Sequence, residues 1–226
     1  MYVNAILIET KGITMIELPL LYDATGLAFE AHKDQFRKGT GIPYPFHLTD
    51  VTGRVAHYMF YVDEKWIKMS KDEILAIAML HDYMEDQGGL YGYIKARFGV
   101  NVANGVPECT RDPKMDNRRG KLQFLMGFAD KSLASVLVKL ADRYCNVHDY
   151  FRTPGKEWYA AKYALQAYPL YQALLGKYYN FMETRTLDEW PTVKSDLDAL
   201  QDIVGQVYNF NLREPYQIQL VKELVA

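Results

Sequence analysis

Five apolar residues in a row, Ala76-Ile77-Ala78-Met79-Leu80, run directly into His81-Asp82, and Glu85-Asp86 follow a helical turn later. A helix that is apolar on every side has to lie in a core, with other helices packed around it. Residues i and i+4 of a helix sit about 40° apart, so the spacing predicts His81 beside Glu85 and Asp82 beside Asp86. All four side chains then fall within one arc of about 140° at the end of a buried helix. Ionisable groups placed there cost free energy unless they are paired or bind an ion. The rest of the chain has to supply their partners.

The length of 226 residues suits one domain with modest extensions and allows a sizeable core. The 26 basic and 28 acidic residues leave a net charge of −2, so no global field draws in duplex nucleic acid or an anionic membrane. A polyanionic ligand would need a local basic cluster. Cys109 and Cys145 lack metal-ligand spacing and follow no secretory signal, so they read as free thiols of a reducing, cytoplasmic protein. No apolar run approaches the ~20 residues that span a bilayer, and no membrane partner is expected.

Residues 2–18 alternate apolar and polar around Lys11-Gly12, the pattern of a short N-terminal β-hairpin. From there the pattern is helical. Helices are predicted over 21–38, 44–60 and 72–83, with Ser70 as N-cap of the third. Further helices follow over 91–98, stopped by Gly99, and over 100–108. Residues 109–120 are polar and basic and read as a loop, then 121–129 and 132–147 are helical. A long helix over 157–180, kinked at Pro169, another over 188–208, and a short one after Pro215 complete an all-α architecture.

Three segments carry candidate metal ligands: His47, His81-Asp82, and Asp142, which emerges from the apolar helix face of Leu140-Ala141. Two imidazoles and two carboxylates on three helices make a mixed nitrogen and oxygen site for one divalent ion. That set suits Mn, Fe or Zn better than Mg or Ca.

The series His47, His81-Asp82 and Asp142 resembles the H…HD…D signature of the HD-domain metal-dependent phosphohydrolases. Flanking residues narrow the resemblance to the (p)ppGpp hydrolase branch, the RelA/SpoT-type hydrolase domain and its single-domain small alarmone hydrolases. Ala31-His32-Lys33-Asp34-Gln35-Phe36-Arg37-Lys38 with Pro43-Tyr44-Pro45-Phe46-His47 is similar to the opening motif of that family. Leu80-His81-Asp82-Tyr83-Met84-Glu85-Asp86 resembles its LHDxxED motif, Phe98-Gly99-Val100-Asn101-Val102-Ala103 its FGxxVA segment, and Val138 to Asn146 its KLADRxxN helix. The match runs over about residues 20–175, which would form the hydrolase domain, with 1–19 as an extension. Residues 176–226 would pack on that domain as a helical extension that serves a homo-oligomer contact.

The resemblance implies that His47, His81, Asp82 and Asp142 hold Mn²⁺, with Fe²⁺ or Zn²⁺ as alternatives. Glu85 and Asp86 would activate and orient the attacking water. As adjacent carboxylates beside a cation they would act as one coupled group, so no separate roles are assigned. Arg37 and Lys38 match the pair that packs on the guanine base and reaches phosphate, Tyr44 a pocket tyrosine, and Asn146 a ribose or base contact. Lys139, Arg143 and the basic loop with Arg118 are further candidates for distal phosphates, and Lys162 falls near an arginine that single-domain relatives use. His32 would pack between helices.

The chain departs from the family at His47-Leu48, where His-Pro is usual, and over 106–112. With no synthetase domain, it should remove the 3′-pyrophosphate of ppGpp or pppGpp and not make these alarmones. Other readings are a relative acting on NADPH, another phosphorylated nucleotide or a tRNA 3′-end pyrophosphate. A non-catalytic antitoxin or nucleotide-binding module is the reading outside enzymes.

Overall fold

The structure is a computed structural model and describes residues 17–38, 40–115, 118–156 and 190–208, with residues 160, 163–165, 167, 169–170 and 172–173 between them. It is helical throughout. Among the described residues the only extended pairing is an isolated antiparallel bridge between Phe36 and Pro43. The hairpin expected over 2–18 lies almost wholly outside the described residues, as does most of the helix expected over 157–180. No helix among the described residues is long and apolar enough to cross a membrane.

The elements in order are α1 (Pro19–Ala31), α2 (Tyr44–Tyr58), α3 (Glu64–Ile67), α4 (Lys71–Leu80), α5 (Tyr83–Gln87), α6 (Tyr91–Cys109), α7 (Arg118–Met126), α8 (Leu133–Phe151) and α9 (Pro191–Tyr208). The core is built around α4. Every residue from Ile74 to Leu80 is buried, and α1, α2, α6 and α8 all pack against it. Ser70 and Glu73 form a reciprocal capping box at its start, satisfying two backbone donors that the first turn leaves open. Asp72 then accepts from the backbone amides of Leu20 and Leu21 at 2.9 and 2.8 Å, so α4 also caps the start of α1.

Of the boundaries that differ from those read in the sequence, three bear on the site. The helix expected over 72–83 stops at Leu80, because Asp82 takes φ −102° and ψ 0° and the chain restarts as α5. His81-Asp82 is therefore a junction between two helices, although Asp86 still donates its amide to the Asp82 carbonyl at 2.9 Å, a helical i to i+4 bond that keeps the two acids one turn apart. The helix expected over 21–38 ends at Ala31. The chain instead doubles back, with Arg37 donating its amide to Ile42 (2.8 Å) and Tyr44 donating to Gln35 (2.8 Å) around the Phe36–Pro43 bridge. Pro43 occupies the non-hydrogen-bonded position of that bridge, where its missing N–H costs nothing. Third, α8 continues past Val147 to Phe151. The break expected at Gly99 is present: φ 83° and ψ 174° there kink α6 in a conformation essentially reserved for glycine.

Helix α9 packs on α2 and α8. Val193, Leu197, Leu200 and Ile203 join the core, and Asp196 is buried beneath them. It accepts the Tyr58 hydroxyl at 2.5 Å and lies 3.3 Å from Arg54 Nε. Burial nonetheless pushes its carboxyl up to about 6, so the fold disfavours the ionised form. The penalty is complete above pH 6 and disappears as pH falls from there toward 4, the range where the unfolded chain also protonates. Asp196→Asn keeps an acceptor for Tyr58 and is expected to stabilise the protein by about 1 kcal/mol at pH 7, the lost Arg54 attraction offsetting part of the gain. Melting curves at pH 7 and pH 4.5 check this. The advantage should shrink at the lower pH, and a destabilised variant at pH 7 would contradict it.

Candidate functional site

His81 ends the buried helix, and its ring has no solvent exposure. Its Nδ1 lies 2.7 Å from the carbonyl oxygen of Ala78, which accepts only if Nδ1 carries the proton. That leaves the lone pair on Nε2, which lies 3.0 Å from Asp82 Oδ2 and 3.8 Å from Asp142 Oδ1. His47, placed by the first turns of α2, brings its Nε2 to 3.2 Å from Asp142 Oδ1 and 4.0 Å from Asp82 Oδ2. Both imidazole Nε2 atoms are buried and neither makes a hydrogen bond of acceptable geometry, despite these short approaches. His47, His81 and Asp82 each offer a donor atom within 4.8 Å of the others. Electron-pair donors that crowd together without hydrogen-bonding are arranged as ligands are, and the set fits a divalent metal ion.

The electrostatics point the same way. Burial works against a charge on His81, but the Asp82 and Asp142 carboxylates outweigh it and hold the ring pKa up to about 10. Burial raises the Asp142 pKa, but Lys139 at 2.8 Å and the two histidines hold it well below the ordinary carboxylate range. Burial lowers the His47 pKa. The two carboxylates thus favour positive charge at His81 Nε2, where a metal ion would take the place of the proton and use the lone pair.

The two remaining acids are separated by their partners. Glu85 has both oxygens engaged by Arg111, one by the backbone amide and one by the guanidinium, each at 3.0 Å. Among the described residues Asp86 receives a single side-chain bond, from Gln35 Nε2 at 2.7 Å. Both line a cavity of about 430 Å³ together with Asp82 and Asp142.

Most of the basic and polar residues expected at the site line that same cavity: Arg37, Lys38, Tyr44, Lys139, Arg143 and Asn146. Arg37 donates to Asn146 Oδ1 at 2.9 Å and Asp149 Oδ2 at 2.5 Å, and its guanidinium stands 5.9 Å from the Tyr44 ring centre. Asn146 in turn donates to Asp142. Tyr44 gives its hydroxyl to Asp82 Oδ2 at 2.6 Å, and burial with that carboxylate pushes its pKa up, so it stays a donor. Lys38 is exposed. Arg143 is buried and faces the Tyr163 ring at 5.0 Å, and its Nε and Nη1 have no hydrogen-bond partner among the described residues. Lys162 and the side chain of Arg118 lie outside the described residues.

Sequence reasoning missed Asp149 and Gln35. Asp149 is three residues after Asn146 on the same helix, so extending the face past Val147 finds it. Gln35 carries no such signal, because its stretch reads as helix.

No family model matches the chain. Two curated relatives are the guanosine-3′,5′-bis(diphosphate) 3′-pyrophosphohydrolases MESH1 of Xenopus tropicalis and of Homo sapiens. The frog protein is 32% identical over 143 residues, 62% of this chain and 74% of that protein. The human protein is 30% identical over 146 residues, 63% and 75% of the two chains. A solved structure described as "A metazoan ortholog of SpoT hydrolyzes ppGpp and plays a role in starvation responses" superposes with a TM-score of 0.67. It covers 86% of this chain and all of the other, and at 22% identity it speaks for the all-helical fold. Identity at this level across three quarters of a MESH1 chain places the protein in the MESH1-type guanosine-3′,5′-bis(diphosphate) 3′-pyrophosphohydrolase family.

Proposed function

We propose that this chain is a metal-dependent phosphohydrolase that removes the 3′-pyrophosphate of ppGpp or pppGpp, giving GDP or GTP and pyrophosphate. One observation carries the reading. A single cavity holds both the carboxylates Asp82, Glu85, Asp86 and Asp142 and the cations Arg37, Lys38, Arg111, Lys121, Lys139 and Arg143. Acids gathered at buried imidazoles suit an ion, while the cations suit a ligand carrying several phosphates. The names of the MESH1 relatives give that ligand its class.

In this reading His47, His81, Asp82 and Asp142 hold the ion, which we assign as Mn²⁺, with Fe²⁺ and Zn²⁺ accepted by the same donor set. When bound, a divalent ion polarises a phosphoryl oxygen and makes a neighbouring water more acidic. Tyr44 fixes the orientation of Asp82, and Lys139 keeps Asp142 ionised. Water attacks the phosphorus joined to the 3′-oxygen and gives its proton to Asp86, whose Oδ1 has no partner among the described residues. The bond from that phosphorus to the 3′-oxygen breaks, the 3′-oxygen takes up a proton from solvent to become a hydroxyl, pyrophosphate leaves, and Asp86 returns its proton to solvent. Glu85, neutralised by Arg111, holds the 109–112 segment at the edge of the cavity. Arg143, with two buried donors that have no partner among the described residues, is placed for a terminal phosphate. Arg37, held flat by Asn146 and Asp149, is placed to stack on the purine.

Purified protein with Mn²⁺ is to be incubated with ppGpp, NADPH, dNTPs and 3′-phosphoadenosine compounds, beside an Asp82→Ala control. Pyrophosphate release from ppGpp that the control lacks is the expected result. Release that persists in the control, or no turnover of any compound, overturns the reading. Arg37→Ala is expected to raise KM about tenfold while lowering kcat less, because a stacking and phosphate contact acts mainly on ground-state binding. Steady-state kinetics on ppGpp check it, and an effect confined to kcat would contradict the placement.

A further inference from the structure

Asp86 lies at the cavity edge, on the exposed side of a five-residue helix that begins right after the His81-Asp82 junction. A carboxylate in that position has free rotation about its side-chain bonds unless something holds it, and freezing it only in the transition state costs rate. The structure contains a holder. Gln35 donates its Nε2 to Asp86 Oδ2 at 2.7 Å. The Gln35 Oε1 lies 2.6 Å from His32 Nδ1 and accepts from Gln87 Nε2 at 2.7 Å.

The carboxylate decides how the amide is turned. The carboxylate can only accept, so the Gln35 nitrogen must face it, which turns the Gln35 oxygen toward Gln87 Nε2 and His32 Nδ1, two atoms that themselves lie 3.3 Å apart. The His32 Nδ1 must then carry its proton. The ring is fixed in turn: it is buried and stacks on Tyr44 with ring centres 5.2 Å apart and planes 16° from parallel. Tyr44 is the residue whose hydroxyl holds Asp82. A chain of short contacts therefore runs from the Asp82 carboxylate through Tyr44, His32 and Gln35 to Asp86, tying one proposed ligand to the proposed proton acceptor.

The Gln35 main chain serves the same geometry. Its carbonyl accepts the Tyr44 amide at 2.8 Å and closes the bridge that presents Arg37, two residues on. This backbone bond does not depend on the side chain, so the two tasks can be separated by substitution.

We propose that Gln35 is a positioning residue for the reaction: its side-chain amide, turned by His32 and Gln87, holds the Asp86 carboxylate in the orientation that receives the proton of the attacking water. The inference rests on the role given to Asp86 above. Gln35→Met keeps the length of the side chain and removes the donor. It is expected to lower kcat on ppGpp about tenfold, the range of a hydrogen bond to a charged group, while KM stays within about twofold. On an Asp86→Asn background the same substitution should cost nothing more, because the group it positions has already lost its function. Gln87→Met, which removes one of the contacts that turn the amide, should lower kcat in the same direction by less. Melting curves accompany each variant.

An unchanged kcat in Gln35→Met, a loss that appears in KM, or an equal loss on both backgrounds overturns the positioning role while leaving the hydrolase reading intact. Full activity in Asp86→Asn alone overturns the role of Asp86 and this inference with it. Should Gln35→Met melt far below wild type, the kcat of Gln87→Met decides: no loss there overturns the proposal.

Discussion

Asp82→Ala should abolish hydrolysis, lowering turnover by about 10³-fold or more, equivalent to about 4 kcal/mol of transition-state stabilisation. The carboxylate stands 3.0 Å from His81 Nε2 and accepts the Tyr44 hydroxyl at 2.6 Å, so its loss acts on several groups together. The proposed ligand set drops to two imidazoles and Asp142, and the charge that most strongly favours a cation is gone. Metal content of the purified variant should fall with activity. There is also a structural cost, since the half-buried Tyr44 hydroxyl loses its carboxylate acceptor, about 1 kcal/mol. Asp82→Asn separates the two effects. Its amide oxygen still accepts from Tyr44, so stability should return toward wild type, while the missing charge keeps metal content and turnover low. Calorimetry with elemental analysis on both variants reads this out. Turnover within tenfold of wild type in either variant, or full metal content in both, would remove Asp82 from the site.

How much of this was legible in the sequence depends on the kind of signal each residue leaves. The core helix α4 was legible because its cap, Ser70 with Glu73, and its apolar run lie within eleven consecutive residues. The face of α8 was legible for the same reason: Leu133, Val136, Leu137, Leu140 and Ala141 repeat at helical spacing and are all buried. The juxtaposition of His47, His81, Asp82 and Asp142 followed from a resemblance carried by several motifs in order, not from spacing, since 34 residues separate His47 from His81 and 60 separate Asp82 from Asp142. The junction at His81-Asp82 left no mark. No glycine or proline signals it, His81 is itself near-helical at φ −59° and ψ −29°, and only Asp82 departs. The early end of α1 was equally silent, because the bridge that stops it pairs Phe36 with a residue seven positions on. What the local pattern could not show was therefore what depends on contacts between segments: the turn of Gln35, the reach of Asp149 to Arg37, and the division between Glu85 and Asp86.

That division leads to the second large effect. Asp86→Asn should lower kcat by about 10²–10⁴-fold, the usual worth of a positioned proton acceptor, with KM for ppGpp little changed. Glu85→Gln should cost far less, about tenfold, because both Glu85 oxygens are already spent on Arg111 and can take no proton without releasing it. The two residues are adjacent, of one charge, and line one cavity, so a merely electrostatic role would make the two substitutions alike. Their partners make them unlike. Glu85 faces a guanidinium and a backbone amide, whereas among the described residues Asp86 meets one neutral amide and keeps an oxygen open. Glu85→Gln should also loosen Arg111, and so raise KM where Asp86→Asn does not. Steady-state kinetics on both variants at saturating Mn²⁺ decide between the acids. Equal losses would make them one coupled group, and a larger loss in Glu85→Gln would exchange their roles, with Arg111 then having to release Glu85 when substrate phosphates bind.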